Sequence, residues 1–307
     1  MLRLKGDVVR GYRAFYNFTN PKVKEYLHGC VRRMYDMGFR YIKNDYNQSA
    51  GIGCDNTGAE SAPEGLRRNA DAFYEFLHEL YADMPDLVIE NCSCGAMRED
   101  NKILRRTWLQ STSDQENYQR YPAIACGSLA IMPPEKAGIW AYPYPCTYER
   151  KEDFVADEAY VSARADGAET VFNLVTGMLG VTYLSGRIDL CDEKNRSLLH
   201  EGVAYYKKMR ADIPQAMPVY PTGTFRVGKK VNASAGLLTE DKLYLALWNI
   251  GAEDMRFTVD LTKYLGEGAF VESQYPIEEN VNYTLQNGVL YVGFKKKYSA
   301  KMICIKR

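Results

Sequence analysis

Two aspartates end short runs that read as β-strands, and loop-forming residues follow each. In Phe39-Arg-Tyr-Ile-Lys-Asn-Asp45 strand side chains alternate, so Tyr41, Lys43 and Asp45 share one face while Ile42 and Asn44 share the other. Lys43 and Asp45 then project together at the strand's carboxyl end. In a parallel barrel that end carries the active site, and a neighbouring ammonium keeps a carboxylate ionised, as a nucleophile requires. A structural ion pair at a strand terminus is the plainer reading of the same residues. The second carboxylate, in Thr107-Trp-Leu-Gln-Ser-Thr-Ser-Asp114, falls where strand gives way to loop. Asp114 reads either as a general acid/base or as an N-cap for the next helix; the two roles compete, because an acid needs a raised pKa and capping lowers one. One strand lies between those ending in Asp45 and Asp114. At about 4.8 Å per step their backbones are expected roughly 9–10 Å apart, and converging side chains would close that to the roughly 5–5.5 Å of a retaining glycosidase's carboxyl pair.

Between the two aspartates, Leu87-Val-Ile-Glu-Asn-Cys92 is a further strand running into Ser93-Cys94-Gly95-Ala96-Met97-Arg98. Small residues in such a turn let a ligand approach the backbone, and Arg98 can orient its neighbours or be merely solvated. The three histidines, His28, His78 and His200, all fall in helical patterns, which argues against Ser-His-Asp or Cys-His catalysis and leaves carboxylates as the natural catalysts. Cys92 and Cys94 have no second Cys or His pair at finger spacing, so no metal site is expected; the eight cysteines, Cys146 among them, lack the spacing of a disulfide scaffold and are read as reduced. Lys plus Arg and Asp plus Glu are equal at 39, which gives no surface for nucleic acid. The 24 tyrosines suit sugar faces, although most must simply fill the core. No run approaches the roughly 18–20 apolar residues of a membrane helix, and the first residues carry no apolar leader, so a cytoplasmic protein without membrane contact is the expectation.

The elements that must position these residues follow from periodicity. Up to about residue 212, short apolar strands alternate with helical patterns, the signature of βα units on a parallel sheet. Strands are expected at 13–18, 39–45, 87–92, 106–112, 128–141 and 180–188. Asn20-Pro21 followed by Val23, Tyr26, Leu27, Cys30 and Met34 predicts a capped helix, and Pro63 opens another with Leu66, Ala70, Phe73, Leu77 and Leu80 on one face. Weaker helical patterns cover 153–178 and 192–210. Beyond Pro214, Pro218 and Pro221 the texture changes to alternating runs, with Asn287-Gly288 as a hairpin signal. Two domains are expected: 1–212 an α/β unit built as a partial (β/α) barrel, and 213–307 an antiparallel all-β sandwich.

Taken in order, Asn20-Pro21 with Val23, Glu25, Tyr26 and Leu27, then Tyr41-Ile-Lys-Asn-Asp45-Tyr-Asn, then Cys92-Ser-Cys-Gly-Ala-Met-Arg98, then Ser113-Asp114, resemble the α-galactosidases (melibiases) of glycoside hydrolase family 36. Their corresponding stretches read N-P-E-V-R-E-Y-L, I-K-W-D-M-N, C-S-G-G-G-G-R and S-D-x-T-D. Val203-Ala-Tyr-Tyr-Lys-Lys-Met-Arg210 is similar to the family's closing barrel helix. The resemblance implies a (β/α)8 TIM-type barrel, here without its first strands, and a C-terminal β-domain. It implies Asp45 as nucleophile, Asp114 as acid/base, Lys43 as a ligand of galactose hydroxyls, and Cys92, Ser93, Gly95 and Arg98 as the segment lining the sugar. The implied reaction is double displacement on α-galactosides with no cofactor. Asn44 stands where the motif has Trp, Cys94, Ala96 and Met97 where it has Gly, and Asn117 where it has a second Asp. The alternatives are a truncated or split gene product that at most binds sugar, and a retaining α-N-acetylgalactosaminidase. A homo-oligomer, or a partner that completes the barrel, is the expected assembly, since an open arc of strands leaves unpaired edges.

Overall fold

The computed structural model describes residues 1–11, 13–144, 166–225, 232–277 and 282–307. Two compact units divide the chain, Met1–Ser111 and Thr112–Arg307.

The first unit opens with a short hairpin, β1 (Arg3–Leu4) and β2 (Asp7–Val8), turned at Lys5 and Gly6. Helix α1 (Pro21–Asp36) starts as its sequence predicts: the Asn20 side chain accepts from the Lys22 amide at 3.0 Å, and Pro21 occupies the first turn, where no amide is needed. Then follow β3 (Tyr41–Asp45), α2 (Ala62–Asp83, capped by Ser61), β4 (Val88–Cys92), α3 (Asn101–Leu104, capped by Asp100) and β5 (Leu109–Ser111). β3 pairs in parallel with β4, and β4 with β5; Lys43 lies opposite Glu90, Asp45 opposite Cys92, and Asn91 opposite Gln110. Beneath them Phe76, Leu77, Leu80 and Met84 of the α2 region pack on Leu87, Ile89 and Ile103, which is what fixes α2 against the outer face of the strands. The strand expected at 13–18 does not form. Ala14 makes one bridge, to Arg10, while the Phe18 ring packs on Phe73 at 5.0 Å and its amide donates to the Asn69 side chain at 2.7 Å. A side chain of α2 takes the hydrogen bond that a neighbouring strand would have taken, so the segment stays irregular.

In the second unit α4 (Tyr121–Leu129) leads to β6 (Ala137–Tyr144), α5 (Ala168–Gly177), β7 (Val181–Gly186) and α6 (Glu193–Met209). β6 and β7 pair in parallel from Gly138↔Val181 onward. The strand expected over 128–141 is displaced: α4 runs to Leu129, and Pro133-Pro134, which have no amide to give a ladder, lead into a short 3-10 turn before β6 begins. Of the helical pattern over 153–178, the part at Ala168–Gly177 is seen; residues 153–165 and Cys146 lie outside the described residues.

The chain continues through β8 (Met217–Val219), β9 (Ala233–Leu238), β10 (Lys242–Asn249), β11 (Met255–Asp260), β12 (Phe270–Tyr275), β13 (Tyr283–Gln286), β14 (Val289–Phe294) and β15 (Ser299–Lys306). Antiparallel pairing orders them β12-β15-β10-β9-β8 in one sheet and β11-β14-β13 in another. Asn287 and Gly288 turn the β13–β14 hairpin with φ of 51° and 75°, as their sequence predicts. Leu243, Leu245, Leu247, Ile303 and Ile305 of the larger sheet meet Phe257, Val259, Leu290 and Val292 of the smaller in one core. The opposite face of β10 and β15 is also covered: Trp248 is fully buried and its indole donates to the Thr176 hydroxyl of α5 at 3.0 Å. A sheet closed on both sides in this way belongs to one compact body with α5.

Candidate active site

In β3 the expected alternation holds. Tyr41, Lys43 and Asp45 are exposed, and Ile42 and Asn44 half-buried on the α2 side. The neighbour that sequence reasoning missed is Glu90, in register with Lys43 and only 1% exposed. Its carboxylate lies 3.9 Å from the Lys43 ammonium and accepts from the Tyr41 hydroxyl. A carboxylate that deep needs compensation, and Tyr41 and Lys43 give it a hydrogen bond and a positive charge. The signal was present, since a Glu within Leu87-Val-Ile-Glu sits two residues before Cys92 and so on the same face. Its partner Tyr41 could not be read from spacing.

Asp45 accepts from the Asn47 side-chain amide at 3.3 Å, and the Asn47 carbonyl accepts from the Cys94 backbone amide at 2.6 Å. Asn47 therefore ties the end of β3 to the turn after β4. That turn is held from several sides. The Ser93 hydroxyl donates to the Tyr46 carbonyl at 2.9 Å, and Arg98 donates to the Gln48 carbonyl while its guanidinium lies 4.6 Å over the Tyr46 ring. Beneath it the Asn91 amide donates to the Gln110 side chain at 2.6 Å and to the Arg98 carbonyl at 2.7 Å, and accepts from the Tyr46 hydroxyl. Arg98 is thus an organiser of the loops and not a solvated terminus. Cys94 and Gly95 both have positive φ, 45° and 79°; Gly95 adopts this freely, whereas a side chain there costs about 1–2 kcal/mol. Cys92 is buried on the Glu90 face, and burial pushes its thiol up, partly offset by the Gly95 amide, Lys43 and Ser111. The described cysteines other than these are likewise free thiols. One residue beyond the turn, Glu99 has a buried carboxyl oxygen without a hydrogen-bond partner, and burial pushes its pKa up to about 7.

Asp114 belongs to the second unit, exposed in the loop after Thr112. It caps no helix: α4 starts at Tyr121 behind Arg120 without a side-chain cap, and the nearby turn is made by Ser113, whose hydroxyl accepts from the Gln115 amide at 3.1 Å. Among the described residues no hydrogen bond reaches the Asp114 carboxylate. Asn117 instead organises the entry to α4, its side chain accepting from the Gln119 amide at 2.9 Å. The Tyr121 hydroxyl fixes the loop base, donating to the Ser113 carbonyl at 3.1 Å, meeting the Thr112 hydroxyl at 2.9 Å and accepting from the Trp140 amide at 3.2 Å. Burial, with the Asp114 charge adding to it, raises the Tyr121 pKa, so this phenol stays a neutral donor. On β6 the Trp140 ring stacks on Tyr142 at 5.6 Å and meets Tyr183 of β7 edge-on at 5.2 Å. A Cβ at Gly138 would fall 2.4 Å from the Tyr183 ring, so the glycine lets that ring lie against β6.

The chain overlays 99% of its length on the galactosidase domain of the α-galactosidase-sucrose kinase AgaSK, at 19% identity and TM-score 0.74, covering 40% of that chain. The α-galactosidase AgaA of Geobacillus stearothermophilus gives 17% identity and TM-score 0.72, again over 99% of this chain and 41% of the other. The α-galactosidase of Lactobacillus brevis gives 14% and 0.72 with the same coverages. These likenesses show the fold, a partial (β/α) barrel followed by an all-β domain, and the chain spans about two fifths of the length of those structures. No curated protein matches in sequence. The melibiase family model matches residues 9–213, which takes in both aspartates, the turn after β4 and α6, and the chain therefore belongs to the melibiase family.

Proposed function

We propose that the chain is a glycosidase of α-galactosides acting by double displacement. Asp45 attacks the anomeric carbon while Asp114 protonates the departing oxygen, and Asp114 then deprotonates the water that releases the sugar with retention. Family membership over residues 9–213 is the observation that carries this reading. It is supported by the local chemistry: Asp45 is exposed at the carboxyl end of a parallel strand, beside a lysine held by buried Glu90. Asp114 is exposed and caps no helix, which leaves its carboxyl open to a leaving group. Lys43 would hold sugar hydroxyls, and Cys92, Ser93, Gly95 and Arg98 would line the sugar, the last through its grip on Gln48. Variants of AgaA have been crystallised with stachyose and with raffinose, which makes α-galactosyl oligosaccharides the first substrates to test.

Hydrolysis of nitrophenyl α-galactoside should be lost in Asp45→Asn and fall by about 10²–10⁴-fold in Asp114→Asn. Equal turnover by the wild type and Asp45→Asn would remove the proposal. A second reading is a sugar-binding chain without turnover. Saturable galactose binding with no hydrolysis would select it. A panel of nitrophenyl glycosides that includes the α-N-acetylgalactosaminide tests the remaining specificity.

A further inference from the structure

On the outer side of β3 the first unit holds a cavity of about 570 Å³, bounded by the 13–18 segment, the loop after β3 and α2. Strand alternation gives it Asn44 and Tyr46 and leaves Lys43 on the other face; Asp45 borders it, so the two regions meet at that residue. The volume falls within the roughly 300–1,000 Å³ of small-molecule pockets.

The lining has two chemical components. Phe15, Phe73 and Tyr74 supply aromatic surface. Asn44, Gln48 and Asn69 supply amide groups with unused hydrogen-bonding capacity. Among the described residues the Asn44 side chain makes no hydrogen bond, the Gln48 side-chain oxygen Oε1 is buried without a partner, and Asn69 uses only its oxygen, for the Phe18 amide. Of the charged groups at the same wall, Arg13, Arg98 and Asp100 are engaged, and Asp45 accepts the 3.3 Å bond from Asn47. Arg98 donates to the Gln48 carbonyl and covers the Tyr46 ring; Asp100 accepts from the Lys102 and Ile103 amides and from the Tyr74 hydroxyl. A ligand suited to this wall is neutral, has C–H faces for the rings, and carries groups that both donate and accept, as hydroxyls do.

We propose that this cavity is a binding site for a neutral polyhydroxylated ring, a monosaccharide or cyclic polyol, separate from the Lys43 face. Its occupancy does not depend on catalysis, so a chain inert toward α-galactosides would still show it. Binding of galactose and of myo-inositol to the whole chain is measured by calorimetry or ligand-observed NMR. Two variants act on the cavity from different elements: Ala70→Phe fills it from α2, and Asn44→Leu replaces an amide by an apolar group of the same branching. Lys43→Ala reports the other face. The expected result is saturable binding of myo-inositol that weakens at least about tenfold in each cavity variant that retains the wild-type melting curve and changes by less than about twofold in Lys43→Ala, with galactose, which the Lys43 face also takes in the proposed reaction, measured for comparison. The proposal is overturned if no saturable binding occurs, if both cavity variants bind as the wild type does, or if Lys43→Ala alone abolishes binding.

Discussion

Strands β10 and β3 are built by the same alternation and put it to opposite uses. From Leu243 to Asn249 every residue of β10 is buried, with Leu243, Leu245 and Leu247 in the sandwich core and Trp248, on the other face, bonded to Thr176 of α5. In β3 the residues of one face, Tyr41, Lys43 and Asp45, are exposed, and the adjacent β4 buries a carboxylate, Glu90, that meets Tyr41 and Lys43. Burial is the dominant favourable term in folding, so β10 contributes through area removed from water. β3 forgoes that contribution on one face and keeps polar groups poised there, a pattern that proteins retain where chemistry is done at some cost in stability. Substitutions should therefore damage the two strands in different currencies.

The largest effect is expected in the sheet closed on both sides. Trp248→Ala should lower unfolding free energy by about 3–5 kcal/mol, seen as an earlier denaturant midpoint, because it opens a cavity and leaves the Thr176 hydroxyl without its donor. A loss below about 1 kcal/mol would show that the sheet is less tightly closed than described.

Glu99, beside the turn after β4, sharpens the contrast through pH. Its folded-state pKa of about 7 lies above the ordinary carboxyl value near 4.5, so between these the folded chain binds more protons than the unfolded chain. Stability from this group is fully present below about pH 4.5 and falls as pH rises through 7. Glu99→Gln should gain on the order of 1 kcal/mol at pH 8, after allowance for screening at a half-exposed group, and little at pH 4. Denaturant melts at the two pH values measure this, and an equal gain at both would refute the burial of a lone carboxyl.

The smallest expected stability change is at Asp45, whose carboxylate is exposed and receives a single 3.3 Å bond from Asn47. Asp45→Asn should shift unfolding free energy by no more than about 0.5 kcal/mol while removing hydrolysis. If its melting curve shifted as far as that of Trp248→Ala, the division of labour between the two strands would fail.

Much of this organisation was legible in the sequence because it is local. Asn20-Pro21 and Ser61 with Pro63 announce α1 and α2 through their caps, and Asn287-Gly288 announces a hairpin, since these signals act over a few residues. The shared face of Lys43 and Asp45 follows from a period of two. What the sequence hid depends on distant partners. Residues 13–18 look like a strand until Asn69 claims the Phe18 amide, and Leu129 is drawn into α4 ahead of Pro133-Pro134. Glu90 reads as a polar interruption of an apolar run until Tyr41, 49 residues away, is seen donating to it. The aromatic group of Trp140, Tyr142 and Tyr183 joins two strands across a stretch of chain that periodicity cannot span. Asn47, two residues after Asp45, was close enough to notice, but its second bond, to Cys94, exists only because β3 and β4 are neighbours.

The account rests on Asp45 as the residue that takes the sugar. An activated 2-fluoro-α-galactoside, which forms a glycosyl ester faster than it is hydrolysed, is incubated with the chain, and the peptides are then read by mass spectrometry. The account predicts one added fluorogalactosyl group on the peptide containing Asp45, absent in Asp45→Asn and still formed in Asp114→Asn with this reactive leaving group. A label on another carboxylate, or turnover of α-galactosides with no label at all, would contradict it.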